Sequence, residues 1–300
     1  MKVADIAAKL NEKIIAEMEK GVVPWHCPWN RNFANGKPYA VNGVSKRAYS
    51  KCNYFFMNYL ATQVYDENEF FTFGEIQKLG GRIKQGASGA LVVAYFKVKP
   101  QQAENAEETI ELEEATEEKP RFALRYYYVY NRKDIDGLPP VKVKNQEYKP
   151  LENFQILEAA ENVIKNYKTC PEIKHGGRQA FYLPSQDFVQ VPEKKQFKNE
   201  HSYYSTLFHE LIHSTGSNKR LKRDFGGDFG SEKYSKEELV AELGASYLRA
   251  YCGIDTISEF QQSAAYLENW LKVLKKDKKM FFEAANKAMK AVEYILNETI

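Results

Sequence analysis

The run His209-Glu210-Leu211-Ile212-His213 places two of the chain's five histidines four residues apart, with a glutamate between them. On a helix that spacing turns both imidazoles to one face, close enough to grip a single Zn²⁺. Glu210 then lies beside the water that such an ion activates and can take its proton, the chemistry of hydrolysis. The flanks suit a helix. Tyr203, Tyr204, Leu207, Phe208, Leu211 and Ile212 form an apolar stripe, and Ser214-Thr215-Gly216-Ser217-Asn218 reads as its stop, with Gly216 as the cap. The plainer alternative is a pair of ordinary histidines on an amphipathic surface helix.

A third protein ligand would weigh against that alternative, leaving a fourth position for water. Downstream, Lys236-Glu237-Glu238-Leu239-Val240-Ala241-Glu242-Leu243-Gly244-Ala245 is helical in pattern, and Glu238 and Glu242 share one face. The arrangement is similar to that of gluzincins, where the first carboxylate binds zinc and an acid four residues on steadies a ligand histidine. That similarity implies Glu238 on the metal and Glu242 behind a histidine; spacing alone leaves the reverse order open. Glu237 is expected to be the exposed member of the three. Tyr234, one turn before Glu238, is either a packing residue or a donor to a developing oxyanion.

The elements around these residues follow from pattern. Residues 178–183 and 188–192 alternate like short strands, with Pro184-Ser185-Gln186-Asp187 as the turn. An open strand edge beside the cleft would take an extended peptide by β-addition. Residues 258–297 read as two packing helices beneath the cleft, broken at Lys275-Lys276-Asp277-Lys278-Lys279.

Three hundred residues suggest two domains. No apolar run reaches membrane-spanning length and the first residues open straight into an amphipathic helix, so a cytoplasmic protein is expected. Cys27, Cys52, Cys170 and Cys252 form no C-x-x-C pair, which fits reduced thiols. The net charge of +3 is unevenly spread: residues 101–118 hold eight glutamates and no basic residue. That stretch reads as a flexible acidic insertion between strand-like segments at 90–98 and 121–130. Its alternative role is to mimic nucleic acid and shield a basic groove.

Residues 1–99 carry 14 Lys and Arg against 8 Asp and Glu, together with 15 aromatics. Cations interleaved with rings suit single-stranded DNA, because phosphates meet the cations and unpaired bases stack on the rings. The candidates are Trp25, Trp29, Lys37, Tyr39, Lys46, Arg47, Tyr49, Lys51, Arg82 and Lys84. Tyr54, Phe55, Phe56 and Tyr59, at near-helical spacing, are expected in the core.

Taken together, these residues resemble the ArdC-type antirestriction proteins of plasmids and other mobile elements. The resemblance rests on Val23-Pro24-Trp25, Pro28-Trp29, Lys37-Pro38-Tyr39, Phe71-Thr72-Phe73 and the run from Leu79 to Gly86. It continues through Tyr128-Val129-Tyr130-Asn131, Ile135-Asp136-Gly137-Leu138-Pro139, His175-Gly176-Gly177 and Ala180-Phe181-Tyr182. It extends over His209 to Gly216, Arg220-Leu221, residues 234–245 and 263–270. One departure stands out: the family's Tyr-x-Gly-Ile-Asn element is here Tyr49-Ser50-Lys51-Cys52-Asn53. The resemblance implies a single-stranded-DNA-binding domain joined to a zincin-like metallopeptidase domain, acting when entering DNA meets restriction.

The expectation is therefore an α+β protein of two domains, 1–145 and 146–300. It would bind single-stranded DNA and hydrolyse a protein or peptide with Zn²⁺ held by His209, His213 and Glu238. Two rivals remain: protection of DNA by occupancy alone with an idle metal site, and a proteinase acting on a DNA-bound repressor or nuclease.

Overall fold

The computed structural model describes residues 3–21, 23–25, 33, 35–37, 39–98, 109–110, 121–141, 153–223, 232–254 and 264–299. The N-terminal half comprises α1 (Val3–Glu19), β1 (Val41–Asn42) and α2 (Cys52–Tyr59), which runs into a π-helical turn (Leu60–Tyr65). β2 (Glu69–Thr72), α3 (Phe73–Lys78), β3 (Arg82–Ile83), β4 (Ala90–Val98), β5 (Thr109–Ile110), β6 (Arg121–Asn131) and β7 (Ile135–Asp136) follow. The C-terminal half contains α4 (Asn153–Asn166), β8 (Glu172–His175), β9 (Phe181–Leu183) and β10 (Phe188–Val191), then α5 (Glu200–Thr215), α6 (Glu232–Cys252), α7 (Ala264–Lys276) and α8 (Met280–Leu296).

The N-terminal sheet runs β1-β2-β6-β4, with β5 added to β6. Its long element is the β4–β6 antiparallel pair, in register from Ala90 opposite Val129 to Val98 opposite Arg121. Most of the acidic insertion between these strands lies outside the described residues. α3 starts where Thr72 and Glu75 form a reciprocal capping box, which satisfies two helix-end donors.

In the C-terminal half β10 pairs in parallel with β8 and antiparallel with β9. The expected β9–β10 hairpin is present. Asp187 closes it at φ 54°, where its carboxylate accepts from the Tyr182 hydroxyl at 2.8 Å and from Arg220 at 2.7 Å. Arg220 also donates to the Thr169 carbonyl at 2.9 and 2.7 Å, so one guanidinium ties the turn after α5 to the hairpin and to the end of α4. β8 was not legible in the sequence.

Helices from both halves share one hydrophobic core. Ala7, Leu10, Ile14 and Met18 line the inner side of α1 and are buried where α1 meets α7 and α8. The Asn11 amide donates to the Leu274 carbonyl at 2.7 Å, and Lys275 pairs with Glu19 at 2.6 Å. α8 also packs on α5 and α6, and thereby lies beneath the histidine-bearing helix as expected; α7 packs on α6 as well as on α1. Among the described residues no helix is long and apolar enough to cross a membrane, and Cys52, Cys170 and Cys252 are free thiols.

Candidate metal centre

α5 begins at Asn199, whose side chain accepts from the Ser202 amide at 2.8 Å. It buries Tyr203, Tyr204, Leu207, Phe208, Leu211 and Ile212, the expected stripe. It ends at Gly216, but in the right-handed region at φ −76°, so glycine's left-handed freedom is not what stops it. The chain turns because the Leu221 amide reaches back to the Thr215 carbonyl, and Arg223 to Gly216, at 2.9 and 2.8 Å. α6 crosses α5 at Gly244, where a Cβ would fall 2.7 Å from the Ile212 side chain. That close approach brings the glutamates of α6 onto the histidines of α5.

His209, His213 and Glu238 meet there. Each offers one ligand atom, and these atoms lie within 4.8 Å of one another. The two Nε2 atoms are 3.1 Å apart, and the Glu238 carboxylate lies 3.5 Å from His209 Nε2 and 3.3 Å from His213 Nε2. Two imidazoles and a carboxylate converging on one point form a donor set suited to a borderline divalent ion. Glu210, on the same helix between the histidines, is buried.

Behind each imidazole stands a carboxylate held by an arginine. Glu242 lies 3.5 Å from His209 Nδ1 and accepts from Arg249 at 2.9 Å. Glu237 lies 3.2 Å from His213 Nδ1 and accepts from Arg223 Nε at 3.0 Å and Nη2 at 2.8 Å. Arg223 also donates to the Thr215 hydroxyl at 2.6 Å and the Ile212 carbonyl at 2.7 Å, which locks it to the end of α5. With Nδ1 engaged in this way, each Nε2 is presented to a cation. Glu237 is therefore not the exposed glutamate the sequence suggested: it is only 8% exposed. Helical phase alone places it off the Glu238–Glu242 stripe; the return of the chain through Arg223 covers it.

The electrostatics favour positive charge. Burial lowers the proton affinity of both imidazoles, but the carboxylates outweigh it. Glu238 and Glu242 hold His209 well above its ordinary value, and Glu237 with Glu238 raises His213 to about 9. Burial pushes the Glu238 carboxyl up, yet the two histidines pull it far below the usual range. Protons thus gather where a cation would sit. Tyr234 lies partly buried on α6, one turn before Glu238.

The expected DNA-facing residues are not one surface. Trp25 is fully buried, 5.7 Å from both Trp270 and Phe281, so its ring is unavailable for stacking and instead joins the two halves. Tyr49 is buried edge-on against Phe70 and cannot stack on a base either. Lys46 is bound to the buried Glu69 at 2.5 Å, beside Arg132 at 2.9 Å. Lys37 lies over the ring of the half-buried Tyr39, 5.9 Å from its centroid. Arg82 is exposed on β3, and Lys84 donates to the Lys133 carbonyl at 2.8 Å. Arg47 is exposed, and Lys51 lies beside it in the same cleft. Trp29 lies outside the described residues. Tyr54, Phe55, Phe56 and Tyr59 are buried as expected.

Comparison with known proteins agrees with this layout. The family profile for the N-terminal domain of anti-restriction factor ArdC matches residues 4–130, and that for a zincin-like metallopeptidase matches residues 158–287. A relative from Sinorhizobium fredii (strain NBRC 101917 / NGR234), protein y4eC, is 30% identical across 97% of this chain and 91% of its own length. Two DNA primases TraC of Escherichia coli are 31% and 32% identical over 95% of the chain, which spans only 26% and 19% of their lengths. The Mn(II)-bound crystal structure of antirestriction ArdC from plasmid R388 superposes with TM-score 0.73 at 27% identity, covering 97% of both chains. Its metal-free form gives 0.71 at 29% identity, covering 99% of this chain and 100% of that one.

Proposed function

This chain belongs to the ArdC-type antirestriction family, with an ArdC N-terminal domain joined to a zincin-like metallopeptidase domain, and on that footing we propose that it binds single-stranded DNA and carries a zinc-dependent peptidase site. The observation that carries the reading is the convergence of His209, His213 and Glu238, backed on both imidazoles by carboxylate–arginine pairs. The Mn(II) ion in the R388 relative supports a divalent ion, and two imidazoles with one carboxylate suit Zn²⁺.

His209, His213 and Glu238 would hold the ion, which supplies Lewis acidity toward a carbonyl. The chain's own residues do the rest. Glu210, buried on the same turn, accepts the proton of the attacking water and returns it to the leaving amine. Glu237 and Glu242 fix the tautomers of His213 and His209. Tyr234, one turn before Glu238 on α6, is the candidate donor toward developing negative charge. In the N-terminal half, exposed cations meet phosphates. The role we assign is protection of entering single strands from restriction during DNA transfer.

The test is Glu210→Gln in the full chain. Metal content and DNA binding should persist while peptide cleavage is lost. If protection from restriction then survives undiminished, occupancy of the DNA suffices and proteolysis is not the means.

A further inference from the structure

In the N-terminal half a cleft of about 440 Å³ opens between the segment after β1 and the β4–β6 pair. Ligand pockets span roughly 300–1,000 Å³. Ser45, Arg47, Tyr49, Lys51, Glu75 and Tyr127 line it.

Tyr49 is 8% exposed, and its hydroxyl meets no hydrogen-bond partner among the described residues. The ring packs edge-on against Phe70, its centroid 6.2 Å away. Orphaned buried polar groups are rare in native folds and call for a ligand or a water. Burial first, then the neighbouring Tyr127 and Glu75, raise this phenol far above its usual range, so it stays a donor.

Arg47 is the second feature. Its guanidinium is exposed and makes no ion pair or hydrogen bond among the described residues, while the adjacent Lys46 is fixed on Glu69. Lys51 stands at φ 57°, ψ −138°, a backbone shape that only glycine adopts without strain. Strain of this kind is held in place by its surroundings and gathers at ligand sites.

Tyr127 is the third. Its ring is 39% exposed on the cleft wall. Glu75 adds a negative charge whose oxygens already accept from the Asn42 amide at 3.0 Å and the Thr72 amide at 2.7 Å. A purely anionic ligand would be repelled by Glu75 and a purely cationic one by Arg47 and Lys51. A ligand with phosphate at one end and a flat ring bearing N–H groups at the other suits both.

We propose that this cleft takes one nucleotide of a single DNA strand, with Arg47 and Lys51 on its phosphate, Tyr127 stacked on its base and the Tyr49 hydroxyl donating to it. The assignment rests on the reading that the N-terminal half binds single strands. It places the contacts in a defined cleft instead of spreading them over a basic surface.

The test measures binding of a labelled oligothymidylate by the full chain across a salt series. Arg47→Ala should weaken binding and reduce the salt slope by about one. Tyr127→Ala should weaken it roughly 5- to 100-fold with the slope unchanged, and Tyr127→Phe should restore it. Tyr49→Phe keeps the ring and removes the unpartnered hydroxyl, so it should weaken binding several-fold while leaving the melting temperature equal or higher. Wild-type protein that fails to bind the oligonucleotide overturns the single-strand reading, and the cleft assignment with it. Binding by the wild type that none of the three changes alters overturns the cleft assignment alone. An effect of Arg47→Ala without any from Tyr127→Ala or Tyr49→Phe marks a bare phosphate contact and also overturns it.

Discussion

At the metal centre each imidazole Nδ1 faces a carboxylate, and each of those carboxylates is held by an arginine. In the N-terminal cleft the Arg47 guanidinium and the Tyr49 hydroxyl meet no partner among the described residues. The difference follows from the ligands. An ion is a small sphere without preferred orientation, so the protein must fix every donor in advance. A nucleotide brings its own donors, acceptors and flat faces, and the protein has to leave groups open for them.

The largest expected effect separates the two regions outright. His213→Ala should abolish stoichiometric metal, measured by elemental analysis of the purified protein, and leave oligonucleotide affinity unchanged. Loss of both would mean that the regions are one site. Within the metal centre, Glu238→Ala should remove more metal than Glu242→Ala. Glu237→Gln should lower metal affinity roughly 10- to 100-fold, the cost of disturbing a ligand's orienting partner. Competition with a chromogenic chelator reads both.

A pH series sharpens the contrast. His213 titrates near 9 without metal, and His209 is raised as well. Binding a cation must displace those protons, so metal affinity should rise with pH through neutrality by about tenfold per unit for each proton released, with the part owed to His213 levelling off above pH 9. The metal-free fold runs the other way. The histidine–carboxylate contacts stabilise it fully below the ordinary histidine value, and that support fades as pH rises through 9. The melting-temperature gap between metal-loaded and metal-free protein should therefore widen from pH 6.5 to 9.

The smallest expected effect concerns Lys51. Lys51→Gly relieves its backbone strain and should stabilise the fold by about 1 kcal/mol in denaturant titration. It should also weaken oligonucleotide binding, because a cation is lost from the cleft. A gain in stability with no change in binding would leave the Lys51 charge without a part in DNA recognition.

Chemistry with a fixed local spacing was legible in the sequence. The five-residue run on α5 and the four-residue interval on α6 specify faces of helices, and helical phase carries them to one point. Arg249, two turns after Glu242, was within reach of the same reasoning. Arg223 was not, because it reaches Glu237 from a turn and no periodicity announces it. The aromatics of the N-terminal half were the least readable. A tryptophan beside prolines and a tyrosine beside lysines look alike whether they stack on bases or fill a core. Trp25 and Tyr49 proved to be core, since Trp270 of α7 and Phe281 of α8 cover the first and Phe70 of β2 packs on the second. The glycine missing from the family's Tyr-x-Gly-Ile-Asn element does have a physical trace: Lys51 occupies its place in a glycine-like conformation.

The seating of α1 against α7 and α8 bears on how the protein is made. Asn11 finds its partner in Leu274, 263 residues later. On a ribosome the first helix is finished long before the helices that cover it exist, so its apolar side stays exposed to solvent and chaperones through most of synthesis. Contacts of such separation close late and slow folding. A chain interrupted before residue 264 would therefore carry the N-terminal cleft on an unsealed core, an easy target for proteases. If the cleft binds DNA as proposed, that binding becomes a property of chains in which α7 and α8, which follow the metal-bearing helices, have also been completed.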